Sequence, residues 1–334
     1  MKDPISQRSI RITKLNAQEE WTHDPFAADK DESGNIYARG AQDMKCVGIQ
    51  YLEAVRRLRR AGVAALRRTV HITFVPDEET GGVNGMNKFV KTREFQQLNV
   101  GFALDEGIAS ATDEYLVYYG ERVLCSNVVV HCPGTPGHGS LLLPDTAGEK
   151  LRHVIDRFMD FRRSEQIKLE QDAKLTIGDV TTVNLTMVQG GVQGNVVPPE
   201  LSATFDIRIA TDVDLVQFKE MLAQWCREAG PGTSIEYRYE PKYIPNTKLD
   251  DSNPFWVAFK SECDQMNMNM EPRIFCGATD ARFIREIGIP ALGFSPMVRT
   301  PVLLHAHDEF LNERVFLDGI AIYERLITAV ANVP

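Results

Sequence analysis

Apolar positions along this chain keep two rhythms in turn, and the order in which they alternate outlines the fold. Ile36-Tyr37-Ala38 reads as a short strand. Val47, Tyr51, Ala54, Val55 and Leu58 then recur at helical spacing on one face, and Asp43 stands where a cap for that helix belongs. Thr69–Val75 alternates, is rich in β-branched residues and predicts a buried strand ending at Pro76, and Asn99–Leu104 predicts another. Strands alternating with helices indicate an α/β sheet. Residues 1–20 are polar without clear periodicity and are expected to form a loose end.

Near Tyr115 the style changes. Tyr115–Tyr119, Asn127–His131, Val180–Val188 and Leu201–Ile209 read as sheet strands, with helical stretches at Thr146–Ser164 and Asp214–Ala229 among them. After about Tyr243 the first style returns: helix Pro254–Met266, helix Asp280–Glu286, strand Pro290–Phe294 and a final helix Glu313–Ala331. One domain inserted into another explains this order. The expected organisation is an α/β domain over 21–119 and 243–334, interrupted by an α+β domain over 120–242.

With 334 residues, 43% of them hydrophobic, the chain can bury a large core without disulfide or metal. The net charge of −9 opposes phosphate backbones and anionic lipid, so neither nucleic acid nor membrane is an expected partner. The basic run Arg56-Arg57 through Arg59-Arg60 to Arg67-Arg68 follows a helical pattern and reads as a solvated face. The first residues hold no apolar signal core, no stretch is apolar enough to span a bilayer, and no two of the six cysteines form a C-x-x-C pair. Free thiols in a reducing cytoplasm are the expectation, and the sequon Asn184-Leu185-Thr186 is read as chance.

In an open α/β sheet, ligands gather beyond the carboxyl ends of the strands. Asp43, Asp77-Glu78-Glu79 and Asp105-Glu106 each follow a predicted strand, and His305-Ala306-His307-Asp308-Glu309 follows an apolar segment late in the chain. Several carboxylates converging on one spot repel unless a cation holds them. Carboxylates with imidazole suit zinc, or less specifically manganese or cobalt, and a bridging carboxylate can hold two ions about 3.5–4 Å apart. Each cluster alone is more often a capped or solvated turn. Taken together they leave a metal site and ordinary turns evenly balanced, and no short zinc motif decides between them.

Longer strings carry more. Trp21-Thr22-His23-Asp24-Pro25-Phe26, Tyr37-Ala38-Arg39-Gly40-Ala41-Gln42-Asp43-Met44-Lys45-Cys46 and Phe74-Val75-Pro76-Asp77-Glu78-Glu79 resemble the zinc-dependent aminoacylase family. So do Gly101–Gly107 and Pro290–Met297, and the likeness runs from about Trp21 to the C-terminus. The resemblance implies hydrolysis of N-acyl-L-amino acids to a carboxylate and a free amino acid at two zinc ions. It implies Asp43 as the ligand shared by both ions, Glu79 and His305 completing one of them, and Glu106 on the other. Glu78 would be the general base, taking a proton from the attacking water and passing it to the leaving amine. His307 is expected outside the ligand set.

The inserted domain carries family marks too, and implies a homodimer. Gly137-His138-Gly139 resembles a segment whose histidine reaches the partner subunit's site and steadies the tetrahedral oxyanion, and Asn195 matches the asparagine that assists it. Gly139 departs from the alanine usual there. Arg208 resembles the arginine that grips the substrate carboxylate, a task suited to a planar bidentate donor. The family also has an early His-x-Asp element whose histidine binds the ion that Glu106 holds, and residues 1–20 contain no histidine. The catalytic domain is therefore expected to be N-terminally incomplete, with one metal site keeping three protein ligands and the other two. A related dipeptidase or deacylase, and a catalytically impaired form acting as a dimerisation partner, are the competing readings.

Overall fold

A computed structural model describes residues 20–63 and 65–334. The expected loose end therefore lies, except for Glu20, outside the described residues. The chain divides into two compact units. One runs up to Gly120 and takes in Pro245–Arg273 and Thr279–Pro334; the other is Glu121–Ile244 with Ile274–Ala278.

In the first unit, strands β1 (Asp29–Lys30) and β2 (Asn35–Tyr37) pair antiparallel. Helices α1 (Lys45–Arg60), α2 (Met86–Phe89) and α3 (Arg93–Leu98) lead to strands β3 (Ala103–Asp105) and β4 (Glu114–Glu121). The second unit contributes β5 (Val123–Pro133), β6 (Gly137–His138), α4 (Ala147–Gln171), β7 (Thr182–Gly190), β8 (Val196–Val197), β9 (Glu200–Ile209), α5 (Leu215–Ala229) and β10 (Ser234–Tyr237). The chain ends with α6 (Pro254–Gln265), β11 (Asn269–Phe275), α7 (Ala281–Glu286), β12 (Ala291–Phe294), β13 (Phe310–Asn312) and α8 (Glu313–Ala331).

The first unit holds a sheet ordered β11-β4-β12-β3, in which β12 runs parallel to β3 and antiparallel to β4. All four β12 residues are buried, as a strand covered on both faces requires. Val47, Ala54 and Leu58 of α1, Trp256 and Phe259 of α6, and Ile320, Tyr323 and Leu326 of α8 close over Leu292 and Phe294. Tyr323 is fully buried and its hydroxyl donates to the Phe294 carbonyl at 2.6 Å, so its one polar atom is satisfied. A smaller sheet, β1-β2-β13, brings the late strand β13 beside β2.

The second unit is an antiparallel sheet ordered β10-β5-β9-β7, with α4 and α5 over one face. Alternate residues Ala203, Phe205, Ile207 and Ile209 point into the core, and Phe205 stacks on Phe158 with centroids 3.9 Å apart. Thr146 and Glu149 form a capping box at the start of α4, and Asp214 caps α5.

Three expectations need correction. Thr69–Val75 belongs to no strand, and Phe74 is 71% exposed. Among the described residues nothing lies alongside to complete its hydrogen-bond ladder, and β-propensity without a pairing partner does not make a strand. The strand expected from Asn99 begins at Ala103, because Asn99 sits in the left-handed region at φ 50° and closes α3. Asp43 does not cap α1: the position before its first turn is Met44, with no side-chain cap, and Asp43 points elsewhere.

Candidate metal centre

Asp43 sits on the loop between β2 and α1. That loop has no regular ladder, so its shape comes from buried side chains. Gln42, fully buried, donates to the carbonyls of Pro301 and Phe310 at 3.0 and 2.8 Å and accepts from the Leu303 amide at 3.0 Å. It thereby staples the Asp43 loop to the turn that carries His305. His305 itself sits at φ 61°, a conformation that non-glycine residues adopt at a cost.

Glu78 and Glu79 lie in a 3-10 turn, Glu78–Thr80, flanked by Asp77 at φ 74° and Gly81 at φ 99°. The Asp77 carboxylate accepts from the Asn84 amide at 2.7 Å and from the Thr80 hydroxyl, and Arg282 donates to the Gly81 carbonyl at 2.6 Å. Gly85 closes the loop because a Cβ there would lie 1.9 Å from the Pro76 carbonyl oxygen. Asp105 is held by two backbone amides, Glu106 at 2.9 Å and Ala281 at 2.7 Å, which fixes the end of β3 and aims Glu106 inward.

The folded chain brings Asp43, Glu79 and His305 together. His305 Nε2 lies 3.1 Å from Asp43 Oδ2 and 3.1 Å from Glu79 Oε2, and the three ligand atoms fall within 4.8 Å of one another. Zinc bonds of about 2.0–2.1 Å in a tetrahedron put neighbouring ligand atoms roughly 3.3 Å apart, so the donor set and spacing fit such an ion. Among the described residues this is the one such group of three.

Glu106 is buried beside Asp43. Burial first, then the charges of Asp105 and Asp43, raise its proton affinity well above the usual carboxylate range. Glu79 is raised by burial and by Asp43, with His305 opposing. Glu78 is pushed up to about 8 by burial, then by Glu79, Asp280, Asp105 and Asp43. The pocket therefore concentrates acidic groups that share too little positive charge, the condition a cation relieves. His307 stands apart, 3.3 Å from Glu20 and edge-on to Trp21, while His23 stacks on Tyr37 at 4.0 Å.

The second unit carries the other expected residues. His138 on β6 is exposed, with Nδ1 2.7 Å from the Ser140 hydroxyl. The pairing of β6 with β8 brings Asn195 close, and the Gly139 amide donates to the Asn195 carbonyl at 2.8 Å. A Cβ at Gly139 would lie 3.1 Å from that oxygen, so the glycine eases the approach. Arg208 is ion-paired to Asp206 at 3.1 Å, and both line a cavity of about 530 Å³ that Arg122, Arg162 and Glu165 also border. Burial lowers the Arg122 pKa, and its guanidinium donates to neutral oxygens of Val180, Thr182 and Cys276.

Glu309 and Arg39 were not singled out from the sequence as part of this centre. The only signal for Glu309 was its place at the end of the His305–Glu309 cluster, where five polar or small residues look alike.

The profile of peptidase family M20/M25/M40 matches residues 14–329. Human aminoacylase-1 is 54% identical over 317 residues, covering 95% of this chain and 77% of the human one. Aminoacylase-1 of Dictyostelium discoideum is 46% identical, covering 93% and 78%. The fold matches an M20 family metallo-carboxypeptidase of Sulfolobus solfataricus (TM-score 0.65, 18% identity, 95% of this chain and 82% of that one). It also matches a dinuclear metal-binding M20 peptidase of Bacillus subtilis (TM-score 0.57, 18% identity, 88% and 74%). A profile match over nearly the whole length, with close relatives that agree, means that this chain belongs to peptidase family M20/M25/M40, with aminoacylase-1 among its relatives.

Proposed function

We propose that the chain is a zinc-dependent hydrolase that splits N-acyl-L-amino acids into a carboxylate and a free L-amino acid. The observation that carries this reading is the convergence of Asp43, Glu79 and His305, with Glu78 beside them, in a chain 54% identical to human aminoacylase-1. Such relatives favour a hydrolase over a non-catalytic dimerisation partner. Asp43, Glu79 and His305 would hold one ion, and Asp43 with Glu106 would offer two ligands to a second. A bound cation supplies Lewis acidity to the amide carbonyl and lowers the pKa of water.

Glu78 is assigned as the general base. A carboxylate held beside the clustered ligands can take a proton from water and give it to the departing amine. His138 and Asn195 are assigned to the developing oxyanion in the partner subunit's site, where donors are worth several kcal/mol. Arg208 is assigned to the substrate carboxylate, which must then compete with Asp206. In the second unit β7 is an edge strand with Met187 and Val188 half exposed, and Leu142, on the loop that follows β6, is fully exposed. These features support a homodimer formed through the inserted domain. Six unpaired cysteines suit a reducing compartment, the cytoplasm.

Metal analysis and N-acetylmethionine hydrolysis on the purified chain test the reading. About one tightly held zinc per chain is expected from the three-ligand group. Hydrolysis should vanish with a chelator and return with zinc. If neither this chain nor the chain extended by a family His-x-Asp segment hydrolyses the substrate in a zinc-dependent way, the proposal fails.

A further inference from the structure

Glu309 lies four residues beyond His305 and is fully buried, yet it is not one of the three clustered ligands. Its carboxylate accepts from the amides of Gln42 at 2.6 Å, Asp43 at 3.2 Å and Gly40 at 3.3 Å, and from Arg39 Nη1 at 2.7 Å. Arg39 Nη2 donates in turn to the carbonyl of His305 at 3.3 Å. A carboxylate this deep is costly unless charge and hydrogen bonds compensate it, and here all the compensation comes from the Asp43 loop.

The placement has a topological reason. The β2–β13 ladder ends at Tyr37 and Phe310, extended by one bond from the Ala38 amide to the Glu309 carbonyl at 3.1 Å. Beyond that point two ligand-bearing loops leave the sheet without a ladder between them. Glu309 and Arg39 stand at this fork, one gripping the backbone of Asp43 and the other the backbone of His305. We infer that the Glu309–Arg39 pair is a positioning device for the metal centre, setting the spacing of Asp43 and His305 and hence metal affinity and coordination geometry without touching the ion. Outer-shell partners of this kind typically change metal affinity by about 10–100-fold when removed. The inference rests on the metal-centre reading above.

Cobalt binding to the full chain tests it, read by the visible absorption spectrum and by chelator competition. Glu309→Gln keeps the shape but loses the charge, and Arg39→Lys keeps the charge but loses the forked reach to His305. Both should bind cobalt about 10–100-fold more weakly and shift its spectrum. Tyr323→Phe, which removes a buried hydroxyl bond in the same unit, serves as a control for lost stability and should leave spectrum and affinity unchanged. Spectra and affinities in both variants indistinguishable from the parent would overturn the inference, even if the variants were less stable. Should Glu309→Gln fail to fold, Arg39→Lys decides alone by the same readouts. A parent chain that binds no cobalt would defeat the metal-centre reading and this inference with it; a parent that binds while the variants do not differ defeats the inference only.

Discussion

Replacing Glu78 by glutamine should make the metal-free fold more stable while removing turnover. In the folded chain burial and four neighbouring carboxylates push Glu78 from 4.5 up to about 8. At low pH the group is protonated in both folded and unfolded chains, and no penalty arises. As pH rises through 4.5 the unfolded chain releases this proton while the folded chain keeps it, so stability falls until the folded group ionises near 8. At about pH 7 the difference of some 2.5 units, at 1.36 kcal/mol each, is roughly 3 kcal/mol at most. Partial solvent access and the desolvation of an amide reduce the expected gain to about 1–2 kcal/mol. Urea denaturation of both chains in chelator, from about pH 4.5 to 8.5, would measure it. The stability difference should be near zero at the acid end and grow to a plateau near pH 8. With zinc restored, turnover of the variant should fall about 10²–10⁴-fold, the usual worth of one positioned base, while metal stays bound. A variant less stable than the parent, or a difference independent of pH, would refute the electrostatic reasoning. Near-normal turnover would refute the assignment of the base.

Two further predictions concern the second unit. His131 on β5 lies 3.0 Å from Glu200 and 3.4 Å from Glu236 on the two neighbouring strands, and these hydrogen bonds raise its pKa. Its NMR titration should have a midpoint above 6.5, Glu200→Gln should lower that midpoint, and the contribution of His131 to stability should fade as pH rises through it; a midpoint unmoved by Glu200→Gln would contradict the contact. Phe158→Ala should cost about 3–5 kcal/mol in chemical denaturation, because the ring is fully buried against Phe205 and Trp225 and leaves a cavity; a loss under about 1 kcal/mol would mean that the core closes over it.

Periodicity alone determined much of the architecture. Helices such as Glu313–Ala331 and Leu215–Ala229 appear where apolar residues recur along one face and a cap stands before them, because local spacing decides which face can be buried. The change of style near Tyr115 and again near Tyr243 is legible for the same reason. So was the acidic end of β3 at Asp105-Glu106, whereas Glu78-Glu79 follow no strand, and the longer strings around Asp43, Glu78-Glu79 and Asp105-Glu106 supplied the family. Tertiary structure decided what depends on neighbours distant in sequence. Thr69–Val75 has the composition of a strand but pairs with none of the described strands, since pairing is a property of two segments and not of one. Asp43 resembles a helix cap in one dimension and faces His305 in three, across 262 positions of sequence that the pairing of β2 with β13 and the bonds of Gln42 bring together. Glu309 reads as one more acid in a polar cluster. Its burial, and the amides of Gly40, Gln42 and Asp43 that satisfy it, exist only once the two loops fork from a common sheet edge, because a carboxylate's role is set by which donors surround it.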